Sequence, residues 1–120
     1  MGLDITFNKR KRTHLGYFRK VNFLVRYFKS LGFDPNKSDS FEVSKTDIKD
    51  LLFRCKEVLK DPSIARELLP TMGGFFFGSI EYDEYYYEDV EEVKKFIEET
   101  LLPSFDNLQD DEYITFDIWY

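Results

Sequence analysis

Apolar residues occupy every second position near both ends of the chain and recur at helical spacing between them. Alternation runs through residues 3–8, where Leu3, Ile5 and Phe7 are the apolar members, and again through residues 112–119. A period of two is typical of a strand with one buried face. We therefore expect two terminal strands that lie in one sheet.

Three longer segments carry apolar residues three or four positions apart, the repeat of a helix with one buried side. The spacing predicts a first helix from Leu15 to a stop at Gly32, and a second over residues 45–60. It predicts a third that begins near residues 83–84 and ends at Pro103. Helix propensity and capping support the second helix best, because Ser44 precedes it as a suitable N-cap.

Shorter pieces fill the gaps between these helices. Phe41–Val43 suits a short extended piece, and Asp61-Pro62 suits the cap and first position of a short helix. The segment Phe75–Ile80 is expected to add a strand to the sheet, because consecutive Phe residues between glycines suit a buried strand. The alternative for the Phe run is an exposed aromatic patch for a partner.

Together these elements predict an α+β fold for residues 1–120 as a single domain. A small antiparallel sheet pairs the N- and C-terminal strands and is covered by about three helices. Cys55 is the only cysteine, so no internal disulfide can form, and its place on an apolar helix face indicates an inert core thiol. No apolar run approaches the ~20 residues of a membrane span. We expect a reducing, cytoplasmic setting without membrane contact.

The charge of the chain is divided between its halves. Residues 1–60 contain 14 Lys and Arg against 7 Asp and Glu, whereas residues 61–120 contain 3 against 16. The halves therefore carry net charges of +7 and −13. Such asymmetry indicates two electrostatic faces if the fold keeps the halves apart, and internal neutralisation if it interleaves them.

The familiar catalytic and cofactor signatures do not occur. His14 is the only histidine, so a serine or cysteine triad has no second candidate base. The loop Gly73–Ser79 matches neither a Walker A motif nor a dinucleotide fingerprint. The carboxylates lack the spacing of a metal loop. We predict no catalytic residue, no metal site and no cofactor.

The most distinctive stretch for binding is residues 81–92, which hold seven carboxylates and four tyrosines. On a helix, acids three and four positions apart repel one another, so the face has a cost unless a basic surface binds it. Tyrosine supplies rigid contact area of the kind interfaces favour. The predicted partner-binding residues are Tyr82, Asp83, Glu84, Tyr85, Tyr87, Glu88 and Glu91. The alternative is a solvated face.

A second candidate surface is the basic run after the first strand. Its side chains are suited to contact a nucleic-acid backbone, although no recognised nucleic-acid-binding motif accompanies them. The alternative is a solvated loop. The residues predicted for this contact are Lys9, Arg10, Lys11, Arg12 and Arg19.

Four blocks of the chain are distinctive when taken together: the opening Met1–Asp4, the run Gly16–Asn22, Leu68–Thr71 and, most specifically, Gly74–Tyr86. In this order they resemble blocks of a family of small, uncharacterised phage and prophage proteins. The chain departs from that pattern at Ile5-Thr6 and in its last strand. The positions that match the strongest block are Gly74, Phe75, Phe76, Phe77, Gly78, Ser79, Tyr82, Asp83, Glu84, Tyr85 and Tyr86.

The resemblance implies a context and no catalytic residue. Small acidic phage proteins often bind and disable host machinery in the bacterial cytoplasm, and anti-CRISPR proteins are the best-known class. The first hypothesis is a non-enzymatic inhibitor that binds a host defence nuclease of the RNA-guided class and also contacts guide RNA through its own basic half. The second is a small-molecule binder or minor enzyme with a site at Gly73–Ser79, Tyr82, Asp83 and Tyr86. The third is a structural or housekeeping phage protein.

Overall fold

The computed structural model describes residues 2–9, 13–74 and 77–119, and it contains a four-stranded antiparallel sheet. Its strands are β1 (Asp4–Lys9), β2 (Thr13–Arg19), β3 (Ser40–Val43) and β4 (Ile114–Trp119), in the order β2-β1-β4-β3. The terminal strands β1 and β4 are neighbours and pair Phe7 with Phe116. The predicted pairing of the chain ends in one sheet is confirmed.

The helices are α1 (Asn22–Ser30), α2 (Lys45–Lys60), α3 (Ala65–Leu68), α4 (Glu84–Phe96) and α5 (Leu102–Asp106). A 3₁₀ turn, Pro62–Ile64, precedes α3, and a π turn, Ile97–Leu101, joins α4 to α5. The predicted range of α2 is confirmed, and so is its cap, because Ser44 accepts a hydrogen bond from the backbone N–H of Asp47. The α+β class predicted from the sequence is therefore confirmed.

An aromatic cluster on the inner face of the sheet joins the strands to the helices. The Phe7 ring lies 6.2 Å from that of Phe28 on α1 and 5.3 Å from that of Phe96 on α4. Phe28 in turn lies 4.5 Å from Phe116 on β4. Phe7, Phe28 and Phe116 are fully buried, so this cluster forms the centre of the core.

Close approach of α4 to the sheet requires a glycine. Gly16 on β2 pairs with Phe7, and the Phe96 ring lies directly over it. A methyl group at Gly16 would overlap that ring and lie 2.8 Å from its Cζ. The absence of a side chain at Gly16 therefore sets how closely α4 packs on the β1–β2 hairpin.

The predicted start of the first helix at Leu15 is wrong. Residues Thr13–Arg19 form β2, and the helix begins only at Asn22. Pairing with β1 supplies ladder hydrogen bonds to this segment and buries Phe18 opposite Ile5. Tertiary pairing thus overrides the helical spacing, helped by the low helix propensity of Gly16.

Two further expectations are corrected. Within Phe75–Ile80, the described residues 77–80 form no strand, whereas Phe75 and Phe76 lie outside the described residues. Pro103 does not end the helical region, because it takes an early position of α5, where a missing N–H costs little. Just before Pro103, the π turn shifts the backbone hydrogen-bond register, so that the N–H of Leu102 donates to the carbonyl of Ile97.

Replacing Gly16 by alanine should destabilise the protein by about 1–3 kcal/mol, because the new methyl group displaces the Phe96 ring. Gly73→Ala is the matched control: its methyl group would meet only Ile80 at an ordinary 3.6 Å. The control should change the free energy of unfolding by less than about 1 kcal/mol. Urea denaturation followed by circular dichroism measures both. Equal effects of the two substitutions would contradict the packing of α4 described above.

Candidate functional site

Helix α4 and the turn before it hold the acidic, tyrosine-rich segment. Asp83 is the N-cap, and its Oδ1 accepts a hydrogen bond from the N–H of Tyr86 at 3.1 Å. Tyr86, Val90 and Val93 form the buried side of the helix. The apolar spacing predicted for this helix is confirmed, and the opposite side of α4 consequently faces solvent.

The tyrosines of the segment divide between the two sides. Tyr86 is buried and donates its hydroxyl to the carbonyl of Leu69 at 2.8 Å. Tyr82 is half-buried beneath the guanidinium of Arg66, which lies 4.6 Å from the ring centroid. Tyr87 is also half-buried. Only Tyr85, at 66% exposure, extends into solvent, so it is the tyrosine of this helix best placed for a partner.

The carboxylates on the outer side of α4 are exposed and largely without cations. Six of the seven acids between residues 81 and 92 take part in no ion pair with a described residue. The exception is Glu91, whose Oε1 lies 3.9 Å from Nζ of Lys94 on the same helix. The predicted partner-binding acids Glu84, Glu88 and Glu91 are all exposed. We call these three acids together with Tyr85 the α4 acidic face.

The two oppositely charged halves of the chain meet away from this face. Ion pairs join them at Lys9–Glu112, Lys45–Asp106 and Lys56–Glu98. None of these pairs involves residues 81–92, so the basic half of the described chain leaves the α4 acidic face uncompensated. Each alternative for the charge distribution therefore holds in one part of the fold. The two halves neutralise each other at these three ion pairs, whereas their charges remain separate at α4.

The Gly-rich loop is held by a side chain that the sequence pattern did not single out. Asn22, only 3% exposed, donates from Nδ2 to the carbonyls of Phe77 and Ser79 at 3.0 and 2.9 Å. Its Oδ1 accepts from the N–H of Met72 at 3.0 Å. Asn22 thus satisfies backbone groups that a strand ladder would otherwise pair. Phe77 is consequently buried at 5% exposure without belonging to a strand.

A small cleft of about 170 Å³ lies between this loop and α4. Arg19 and Lys20 line it, and so do Asp83 and Asp89. Its volume is below the roughly 300–1,000 Å³ of most ligand pockets. Tyr86 lines it too, whereas Tyr82 does not, so the residues of the predicted small-molecule site are only partly brought together.

The carboxyl group of Asp89 is perturbed by its position in the cleft. Burial, followed by the neighbouring charges of Glu92, Glu88 and Asp83, raises its pKa to about 6 in total. Both effects disfavour the ionised form. At neutral pH the carboxylate of Asp89 therefore costs the fold stability.

The predicted nucleic-acid residues fall into three groups. Lys9 pairs with Glu112, with Nζ and Oε1 3.3 Å apart. Arg19 is exposed on β2 and lines the small cleft. Arg10, Lys11 and Arg12 lie outside the described residues. The two described members, Lys9 and Arg19, lie at opposite ends of the β1–β2 hairpin and therefore share no basic surface.

Nucleophilic chemistry finds little support in the described part of the chain. His14 is exposed on β2, whereas Cys55 is fully buried, and burial raises the pKa of its thiol to about 12. Across residues 2–9, 13–74 and 77–119, no three His, Cys, Asp or Glu side chains converge as a metal site requires. Within the same ranges, no helix has the length and apolar character to cross a bilayer.

The outer face of the sheet is a second feature that sequence reasoning missed. Thr6, Asn8, Thr115 and Asp117 point away from the helices, and Trp119 lies beside them at 48% exposure. The signal for it was present, because these are the polar positions of the alternating terminal strands.

Comparisons with protein-family models, curated proteins and solved structures give no significant match.

Asn22→Ala should cost about 2–4 kcal/mol, because it leaves two carbonyls and one N–H without their partner in a buried site. Asn36→Ala, at an exposed turn position, is the control and should change stability by less than about 0.5 kcal/mol. Amide hydrogen exchange should show faster exchange near Met72 and Phe77 in the Asn22 variant alone. Unchanged exchange of these amides in the Asn22 variant would refute the conclusion that Asn22 holds the Gly-rich loop in place.

Asp89→Asn should stabilise the protein at pH 7 by on the order of 1 kcal/mol, a figure reduced for partial solvent exposure. The folded-state pKa of about 6 exceeds the unfolded value, so the wild type gains stability as pH falls from 7 towards 4. The variant lacks this gain, and the two proteins should converge near pH 4. Asp110→Asn, at an exposed loop position, is the control. A loss of stability in Asp89→Asn at pH 7 would instead indicate attraction between Asp89 and Arg19 or Lys20.

Proposed function

We propose that this protein is a non-enzymatic binding protein that engages a basic protein surface through the α4 acidic face. The observation that supports this most strongly is that Glu84, Glu88 and Glu91 are exposed and form no ion pair with a described residue of another element. Their mutual repulsion weakens the isolated helix, and a basic partner would convert this cost into attraction.

Tyr85 gives the face an apolar contact as well as charge. It is the most exposed large hydrophobic side chain described, at 66%, and it lies one residue after Glu84. Exposed tyrosine adjoining charge is typical of interface residues that supply much of the binding energy. The other tyrosines of the segment hold α4 to the core and therefore fix the orientation of this contact.

The class of target comes from the resemblance to small phage and prophage proteins. We propose a host defence nuclease of the RNA-guided class in the bacterial cytoplasm, because such enzymes carry extended basic channels for nucleic acid. An acidic helix can occupy such a channel in place of phosphate. A guide-RNA contact through Lys9, Arg10, Lys11, Arg12 and Arg19 is a secondary part of this proposal.

The small-molecule alternative receives less support. The cleft at the Gly-rich loop is smaller than most ligand pockets, and its lining contains both carboxylates and cations. A nuclease inhibitor therefore remains the proposed function. The cleavage assay described next distinguishes inhibition of a nuclease from binding to a partner that is not a nuclease.

Charge reversal on the α4 acidic face tests the proposal. The variant Glu84→Lys/Glu88→Lys/Glu91→Lys should raise the concentration needed to inhibit target-DNA cleavage at least about tenfold, and more at low salt than at high salt. The assay uses purified, guide-loaded CRISPR effectors of several types. The variant should fold as stably as the wild type within about 0.5 kcal/mol, because attraction of the new lysines to the acids that remain in residues 81–92 offsets their weaker interaction with the helix dipole.

The control for this experiment changes the net charge equally at other sites. Glu67, Glu99 and Asp110 are exposed and lie outside residues 81–92, and their reversal to lysine should leave inhibition unchanged. Equal losses in the two triple variants would contradict a specific role of α4. Failure of the wild type to inhibit any effector would refute the nuclease as target.

A further inference from the structure

The outer face of the sheet contains a preorganised carboxylate. Nδ2 of Asn8 donates to Oδ2 of Asp117 at 2.7 Å, and the hydroxyl of Thr115 donates to the same oxygen at 2.7 Å. Asn8 also donates to Oγ1 of Thr6 at 2.8 Å. No described residue donates a hydrogen bond to Oδ1 of Asp117. The network therefore fixes the carboxylate while leaving one oxygen available to a ligand.

This carboxylate lies in an open cleft of about 330 Å³. Asp39 and Ser40 line its β3 side, and Trp119 lines it from the end of β4. The indole is 48% exposed, and the side chain of Asp39 is exposed as well. Glu42 lies next along the outward positions of β3, opposite Thr115. Among the described residues, the lining contains no lysine or arginine.

We propose that this cleft binds an arginine side chain of a protein partner. A guanidinium is planar, stacks on an indole face and forms paired hydrogen bonds with carboxylates. Trp119 supplies the indole, and Asp117 and Asp39 supply two carboxylates in the same cleft. The network from Asn8 and Thr115 holds Asp117 in place, so little side-chain entropy is lost on binding.

The same charges argue against a nucleic-acid strand on this face. Phosphates would approach Asp39, Asp117 and Glu42, and no described residue of the lining is a cation that could neutralise them. The half-exposed Trp119 alone would offer stacking, but the surrounding field is repulsive to a polyanion. An arginine matches both the aromatic and the acidic component.

This inference does not depend on the α4 acidic face. The cleft opens on the outer side of the sheet, whereas α4 packs on the inner side through Phe96. The two surfaces can therefore be tested separately in one protein.

Trp119 is the only tryptophan in the sequence, so its fluorescence and indole N–H resonance report on this cleft alone. Titration with a capped tetra-arginine peptide should shift both signals saturably. Asp39→Asn/Asp117→Asn should weaken this binding at least tenfold, because asparagine preserves the hydrogen-bonded shape while removing charge. Glu84→Gln/Glu88→Gln/Glu91→Gln is the control for binding at α4 and should leave the Trp119 titration unchanged.

A further variant, Trp119→Leu, is made on a background in which the three α4 glutamates are replaced by glutamine. Calorimetry should show that this variant also binds the peptide several-fold more weakly. The inference is overturned if saturating tetra-arginine leaves the Trp119 signals unchanged, or if the double Asn variant binds as tightly as the wild type. It is also overturned if a thymidine oligonucleotide shifts the Trp119 signals more strongly than the peptide. Denaturation of each variant verifies that it is folded before titration.

Discussion

The packing of the Phe96 ring over Gly16 fixes the position of α4, on which the proposed binding surface depends. The ring also lies 5.3 Å from both Phe7 and Phe18, so a single side chain joins the long acidic helix to the hairpin of the sheet. Only a glycine at position 16 permits this approach. Because the buried side of α4 is fixed in this way, its opposite side must face solvent.

Because its apolar side is packed tightly against the core, α4 can tolerate repulsion between the acids on its polar side. Tyr86 adds a hydrogen bond to Leu69 and an edge-on contact with Phe23, with ring centroids 5.6 Å apart. Burial of such aromatic side chains contributes several kcal/mol each, whereas repulsion between neighbouring helix acids costs tenths of a kcal/mol per pair. The repulsion on the α4 acidic face is therefore small beside the packing energy of the helix, and the fold does not depend on these acids. Side chains on which the fold does not depend are free to serve binding.

The sequence predicts well where one local signal decides the structure, and poorly where distant pairing does. Ser44 caps its helix as expected, since a cap depends on residues three positions away. Residues 13–19 mislead, because their apolar spacing suits a helix while their pairing with β1 is invisible to periodicity. Phe77 is buried, as the apolar Phe run indicates. Its backbone carbonyl, however, is bound by the side chain of Asn22, 55 positions earlier in the chain. The α4 acids were identifiable from composition. The hydrogen bonds that join the hydroxyls of Tyr82 and Tyr87 to the backbone of Thr71 and Pro62 were not.

Amide hydrogen exchange of α4 as a function of salt tests the central claim most directly, with α2 as the internal reference. If the acids of α4 repel one another and lack partners within the fold, raising the salt concentration screens that repulsion. The protection of α4 amides should then increase relative to that of α2. A relative decrease in α4 protection with salt would show that its carboxylates stabilise the folded chain through internal ion pairs, and would contradict a face kept for a basic partner.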